Sequence, residues 1–218
     1  MEPHVAIGEW KNQPPPLVSL EEYYAHAHRM CEDKYSKMLD YYRRLKLDHV
    51  TPETFWWEYV WCVYASGFNA KVLTKLFPDL QDALGMWYLL SMEDRWYHVA
   101  PLFSNVRKYN ACRKTAQLLA SYDSWDLFKQ DHLQNTESMR KLAYIGSITC
   151  YHLARNLGMD AVKPDLHLVR LADHFGWPDP ETMCHYLSGL YEERLGVVDL
   201  ILWIAASTWG TLEIRNGR

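Results

Sequence analysis

Residues 139–176 read MRKLAYIGSITCYHLARNLGMDAVKPDLHLVRLADHFG. Gly146 interrupts two stretches of apolar periodicity and predicts a tight turn, with a helix after it that runs to Gly158. Gly158 and Gly176 are natural helix terminators, because glycine enters the left-handed conformation without a Cβ penalty. Pro164 drives Lys163 away from helical geometry, which leaves Asp165 as an N-cap for LHLVRLADHF. The expected order is helix, turn, helix, loop, helix.

Upstream, the same punctuation predicts more helices. Ser19 followed by Glu22 is a capping box that opens a long helix over about 20–46. Thr51-Pro52-Glu53-Thr54 starts another, with Phe55, Trp56, Tyr59, Val60 and Val63 on one apolar face and Gly67 ending it. A short helix over 69–77 is expected to stop before Pro78, followed by segments 80–90 and 91–97. A helix over 101–121 is expected to turn Val106, Ala116 and Leu119 inward and Arg107, Lys108 and Lys114 outward. Short helices at 125–132 and 136–142 precede the turn. No stretch alternates in the manner of a strand, so the fold class is all-α. Residues 1–18, with Pro14-Pro15-Pro16, read as an extended arm, and 19–218 as one helical domain.

Composition narrows the function. Ten Trp and 15 Tyr serve first as helix-packing residues, and a few of them can offer stacking surfaces for bases or sugars. The five cysteines are scattered and odd in number, with no CxxC pair, which argues against a disulfide framework, a cysteine-ligated cluster or a zinc site. His26 and His28 are two apart on a helix and point away from each other, a poor start for a metal site. No run of residues reaches the roughly 20 apolar positions of a membrane span, and MEPHVAIGEW does not read as a signal peptide. Net charge is −4, but residues 105–170 hold ten Lys/Arg against six Asp/Glu, a balance of +4 that leaves −8 elsewhere. A locally basic stretch on an acidic protein fits a phosphate-facing surface, and equally a solvated one.

Leu142, Ile145, Gly146 and Thr149 stand in the register of an L-P-G-[V/I]-G-x-x-T-A hairpin, and Val162, Asp165, His167 and Arg170 in that of a later V-D-x-H-x-x-R-like segment. Lys163 and Pro164 are inserted between Val162 and Asp165, and Asp165 follows Gly146 by 19 residues. In these features the chain resembles the helix-hairpin-helix DNA glycosylase superfamily. YVWCVYASGFNAKVLTKLF looks like the family's early helix–loop–helix, with Phe68 and Asn69 near the position that inserts into DNA, and ERLGVVDLILWIAAS looks like its closing helix. The resemblance spans about residues 50–210 and implies a two-lobed helical fold.

The resemblance also implies roles. Tyr144, Gly146, Ser147, Thr149 and Lys163 would contact DNA, Asp165 would act on the sugar, and His167 and Arg170 would support the site. A hairpin of this kind directs backbone N–H groups and a helix N-terminus at a phosphate, without reading sequence. Breaking a glycosidic bond builds positive charge on the sugar, which a nearby carboxylate stabilises, and the base must first leave the stack. Local sequence alone makes Asp165 a helix cap, a role compatible with catalysis.

The chain departs from the family pattern as well. Ala143 and Tyr144 replace the hairpin's Pro and first Gly, and Ile148 stands where bifunctional members hold a Schiff-base lysine, so lyase chemistry is not expected. The expectation is a monomeric, cytoplasmic DNA N-glycosylase without cofactor or metal. The alternatives are a glycosylase-fold transferase that attaches an amino acid or amine to modified thymine, as phage-type relatives are thought to do, and a non-catalytic DNA-binding module.

Overall fold

The computed structural model describes residues 19–209. The arm expected over residues 1–18 lies outside the described residues, as do residues 210–218. Among the described residues every regular element is helical. They group into two compact units, one of residues 47–157 and one of residues 19–46 with 158–209.

The first unit is built on α2 (Pro52–Ala65), opened by the Thr51 cap. The expected apolar face understates its burial: Glu58, Trp61, Cys62 and Tyr64 are buried along with Phe55, Trp56, Tyr59, Val60 and Val63. A helix buried on nearly every side is an axis around which others pack. Its neighbours include α3 (Ala70–Leu84), α6 (Val106–Ala120) and α9 (Thr149–Asn156). Between them run α4 (Trp87–Met92), α5 (Trp96–Val99), α7 (Trp125–His132) and α8 (Thr136–Met139). Indole N–H groups at the core edge find carbonyl acceptors, Trp56 at Gly85 (3.1 Å) and Trp125 at Val50 (2.9 Å).

The expected segments 80–90 and 91–97 are replaced by the end of α3, α4 and α5, and two further expectations fail for reasons the packing shows. α3 does not stop before Pro78 but continues to Leu84. Proline inside a helix costs about 3 kcal/mol. Continuing the helix buries Leu80 and Leu84 along the stripe of Leu73 and Phe77, and each such side chain contributes about 1.5–3 kcal/mol. The second failure is on α6, which starts at Val106, capped by Asn105. Val106 is exposed and Lys108 is buried, the reverse of the expected assignment. Lys108 lies on the stripe of Cys112, Thr115 and Leu119, all buried, and a helix repeats its faces every three to four residues.

The second unit packs α1 (Leu20–Arg44), α10 (Leu166–His174), α11 (Pro180–Tyr191) and α12 (Leu195–Trp209). α12 is buried through most of its length, from Leu195 to Ala206. α1 kinks at Tyr35, whose φ of −130° and ψ of 21° leave the helical region. Its last carbonyls are capped by Arg194, which donates to Tyr42 (3.0 Å) and Leu45 (2.6 Å) while its other amino group reaches Gly158 (2.8 Å). Gly158 has φ 82°, and a Cβ there would lie 2.7 Å from the Leu45 backbone, so both conformation and space demand glycine.

Candidate functional site

The stretch after α8 is a turn, not a continuous helix. The Ile145 N–H donates to the Leu142 carbonyl (3.2 Å), and the third residue of the turn, Tyr144, has φ 68°. Glycine is the residue that adopts this conformation freely; for a tyrosine it costs roughly 1–2 kcal/mol. Tyr144 thus takes a left-handed conformation at the position where the resembled hairpin carries its first glycine. Burial of Leu142 and Ile145 fixes the turn on both sides. A buried relay fixes it from below: Thr115 Oγ1 donates to Tyr59 Oη (2.8 Å), which donates to the Ala143 carbonyl (2.7 Å). Burial pushes the Tyr59 phenol well above its ordinary range, which keeps it a donor.

Past the turn, Gly146, Ser147 and Ile148 are exposed, and Thr149 begins α9. Among the described residues, no acceptor takes the backbone N–H groups of residues 146–148. α9 thus starts with exposed donors at the positive end of its dipole. Gly146 has no positive φ, and a Cβ there would meet nothing within 4 Å. The packing of the chain itself therefore does not require a glycine at this position. A cleft of about 750 Å³ adjoins Ile145 and Gly146. Its walls mix Asp131 and Glu137 with Arg140 and Lys141, and Arg140 is paired to Glu137 at 2.7 Å. Such a balance of signs does not favour an anion in the cleft.

Phe68 and Asn69 lie in the loop before α3. The Asn69 side chain caps α3, accepting from the N–H groups of Lys71 (2.9 Å) and Val72 (3.2 Å). Phe68 is half exposed and packs edge-on against Phe103 at 4.7 Å between centroids. Lys108 joins these pieces. Its ammonium donates to the Tyr64 and Ser66 carbonyls at the end of α2 (2.8 and 2.6 Å), and burial pushes its pKa below the ordinary lysine range. It lies 5.4 Å from the Phe103 ring centroid and 6.0 Å from those of Phe68 and Tyr144. Sequence reasoning placed Phe68 and Tyr144 in separate motifs and missed both Phe103 and Lys108. The signal for Lys108 was its helical spacing from Cys112; Phe103 had none.

On α2, Glu58 is buried and accepts from Asn156 Nδ2 (2.8 Å), tying α2 to α9. Desolvation raises its pKa to about 7, against the lowering effects of Asn156 and the Arg155 charge.

The Asp165 group belongs to the second unit. Asp165 is the N-cap of α10: Oδ1 accepts from the N–H groups of His167 (3.0 Å) and Leu168 (3.2 Å). Its other oxygen, Oδ2, lies 3.3 Å from Lys163 Nζ, and the two side chains are only 14% and 19% exposed. Lys163 is therefore committed first to Asp165, and its backbone N–H points at Asp199 Oδ2 (3.4 Å). His167 is half-buried, with Nδ1 lacking a hydrogen-bond partner. Arg170, three residues on along the same helix face, is exposed. No helix among the described residues is long and apolar enough to cross a membrane.

Comparisons with protein-family models, curated proteins and solved structures found no match to this chain.

Proposed function

We propose that this protein is a DNA base-processing enzyme, a monofunctional N-glycosylase that extrudes a damaged or modified base and hydrolyses its glycosidic bond. The observation that carries the reading is the 142–149 segment: a turn with a left-handed third residue, then three exposed N–H groups without acceptors at the start of a helix. Backbone donors of that kind suit a phosphate of any nucleotide, so they position a strand without selecting sequence.

Asp165 supplies the chemistry in this proposal. Departure of the base leaves positive charge on the sugar, and the carboxylate stabilises it while water adds at the anomeric carbon. One C–N bond breaks and one C–O bond forms; the water's proton leaves with the base. The capping bonds to His167 and Leu168 hold Oδ1, so Oδ2, now facing Lys163, is the oxygen available to the sugar. Ile148 offers no amine at the Schiff-base position, so the enzyme stops at the abasic site.

The test is incubation with duplexes bearing candidate lesions or thymine modifications, followed by mass spectrometry of free bases and nucleosides. Free base with abasic DNA is expected. A heavier nucleoside without free base would instead identify an amine or amino-acid transferase, and unchanged DNA that is still bound would identify a binding module.

A further inference from the structure

We propose that Tyr144 is a base-stacking residue, and that the hairpin accepts a nucleotide of unpaired DNA on an aromatic surface shared with Phe68. This inference rests on the DNA-binding reading above and extends it: the hairpin would hold a base as well as the backbone.

Three observations lead here. Tyr144 occupies a left-handed position that glycine would fill without strain, and the residue is 41% exposed. Burial therefore does not account for a tyrosine here, and unfavourable backbone conformations gather where function needs them. The Lys108 ammonium, anchored to two carbonyls of the α2 terminus, lies 6.0 Å from the ring centroid, at the outer reach of a cation–π contact. The same ammonium lies 6.0 Å from the ring centroid of Phe68, a residue 39% exposed, and 5.4 Å from that of Phe103. Segments distant in sequence thus contribute rings around one cation.

The choice of occupant follows from charge and shape. Residues 105–170 carry the protein's local positive excess, +4 against −8 elsewhere, and Arg107 is exposed on the same helix as Lys108. A polyanion that bears flat apolar rings satisfies both features at once. An apolar peptide would use the aromatics but not the charge, and an anionic membrane surface would use the charge but offers no flat rings to stack. Duplex DNA keeps its bases stacked, so the proposal commits to a strand with at least one unpaired base.

The experiment compares two dye-labelled oligonucleotides of equal length and charge, one of thymidylate and one of stable abasic residues, by fluorescence anisotropy. Wild-type protein should bind the base-bearing strand about 10-fold tighter or more, the size expected from base–aromatic stacking. Tyr144→Gly should erase that preference by weakening binding of the base-bearing strand more than that of the abasic one, and its Tm should not fall, because glycine is unstrained at this φ. Tyr144→Leu, which keeps side-chain bulk, should lose the preference likewise, and Tyr144→Trp should keep it. Equal binding of both strands by wild type, or a preference that survives in the Gly and Leu variants, overturns the inference and leaves the DNA-binding reading standing. Absence of any DNA binding by wild type overturns both.

Discussion

The Tyr59 hydroxyl lies 2.7 Å from the carbonyl oxygen of Ala143, a residue 84 positions later in the chain. Through this bond the central helix of the first unit holds the residue preceding the strained Tyr144. Tyr59→Phe removes the donor and leaves the Ala143 carbonyl and the Thr115 hydroxyl without their partner. The expected loss is about 1–3 kcal/mol in urea unfolding, and, on the proposed function, weaker DNA binding as the 142–145 turn loosens. A variant as stable as wild type would show that the bond does not secure the turn.

Lys108 has a comparable structural role at the end of α2. Lys108→Met keeps the apolar stem but deprives the Tyr64 and Ser66 carbonyls of their donor. A loss of about 1–3 kcal/mol is expected in denaturant unfolding. The near-ultraviolet circular dichroism should change too, because Phe68, Phe103 and Tyr144 lose the cation they surround. A loss below about 0.5 kcal/mol, the range of ordinary surface substitutions, would contradict the role.

Glu58 makes stability depend on pH. Its folded pKa, about 7, stands above the ordinary carboxylate value of 4.5, so the folded state holds its proton more tightly than the unfolded chain does. That contribution is full below about 4.5 and is lost as pH rises through about 7. Thermal melts across this window should therefore show wild type losing Tm relative to Glu58→Gln, which carries no titrating proton. A gap between the two proteins that stays constant with pH would show that Glu58 keeps an ordinary pKa in the folded protein.

What the sequence disclosed and what it hid divide along physical lines. The Asp165 cap and the helix stops near Gly158 and Gly176 rest on local backbone preferences, and the structure shows each of them, whereas the turn expected at Gly146 lies over residues 142–145, with Tyr144 rather than Gly146 at positive φ. The continuation of α3 through Pro78 was hidden because burial of Leu80 and Leu84 outweighs a local penalty. α11 was also unexpected, although Asp179 and Pro180 carry a standard start signal. At the candidate site, the hairpin's bend was legible but its left-handed residue was not, since tyrosine gives no hint of positive φ. The gathering of Phe68, Phe103 and Tyr144 around Lys108 depends on tertiary packing, which no spacing rule reveals.

Lyase chemistry offers a separate check on the proposed reaction. In the proposed reading Ile148 stands where a bifunctional glycosylase would need a lysine, so borohydride added during turnover should trap no covalent protein–DNA adduct. An adduct would overturn the monofunctional assignment and direct attention to Lys163, the amine beside Asp165.

The most direct test of the proposed chemistry is single-turnover base release by Asp165→Asn. Asparagine caps helices about as well as aspartate, so the substitution removes the charge while the bonds to the His167 and Leu168 N–H groups can persist. Turnover should fall at least about a hundredfold, with folding and DNA affinity nearly unchanged. Base release at the wild-type rate would remove the Asp165 carboxylate from the reaction.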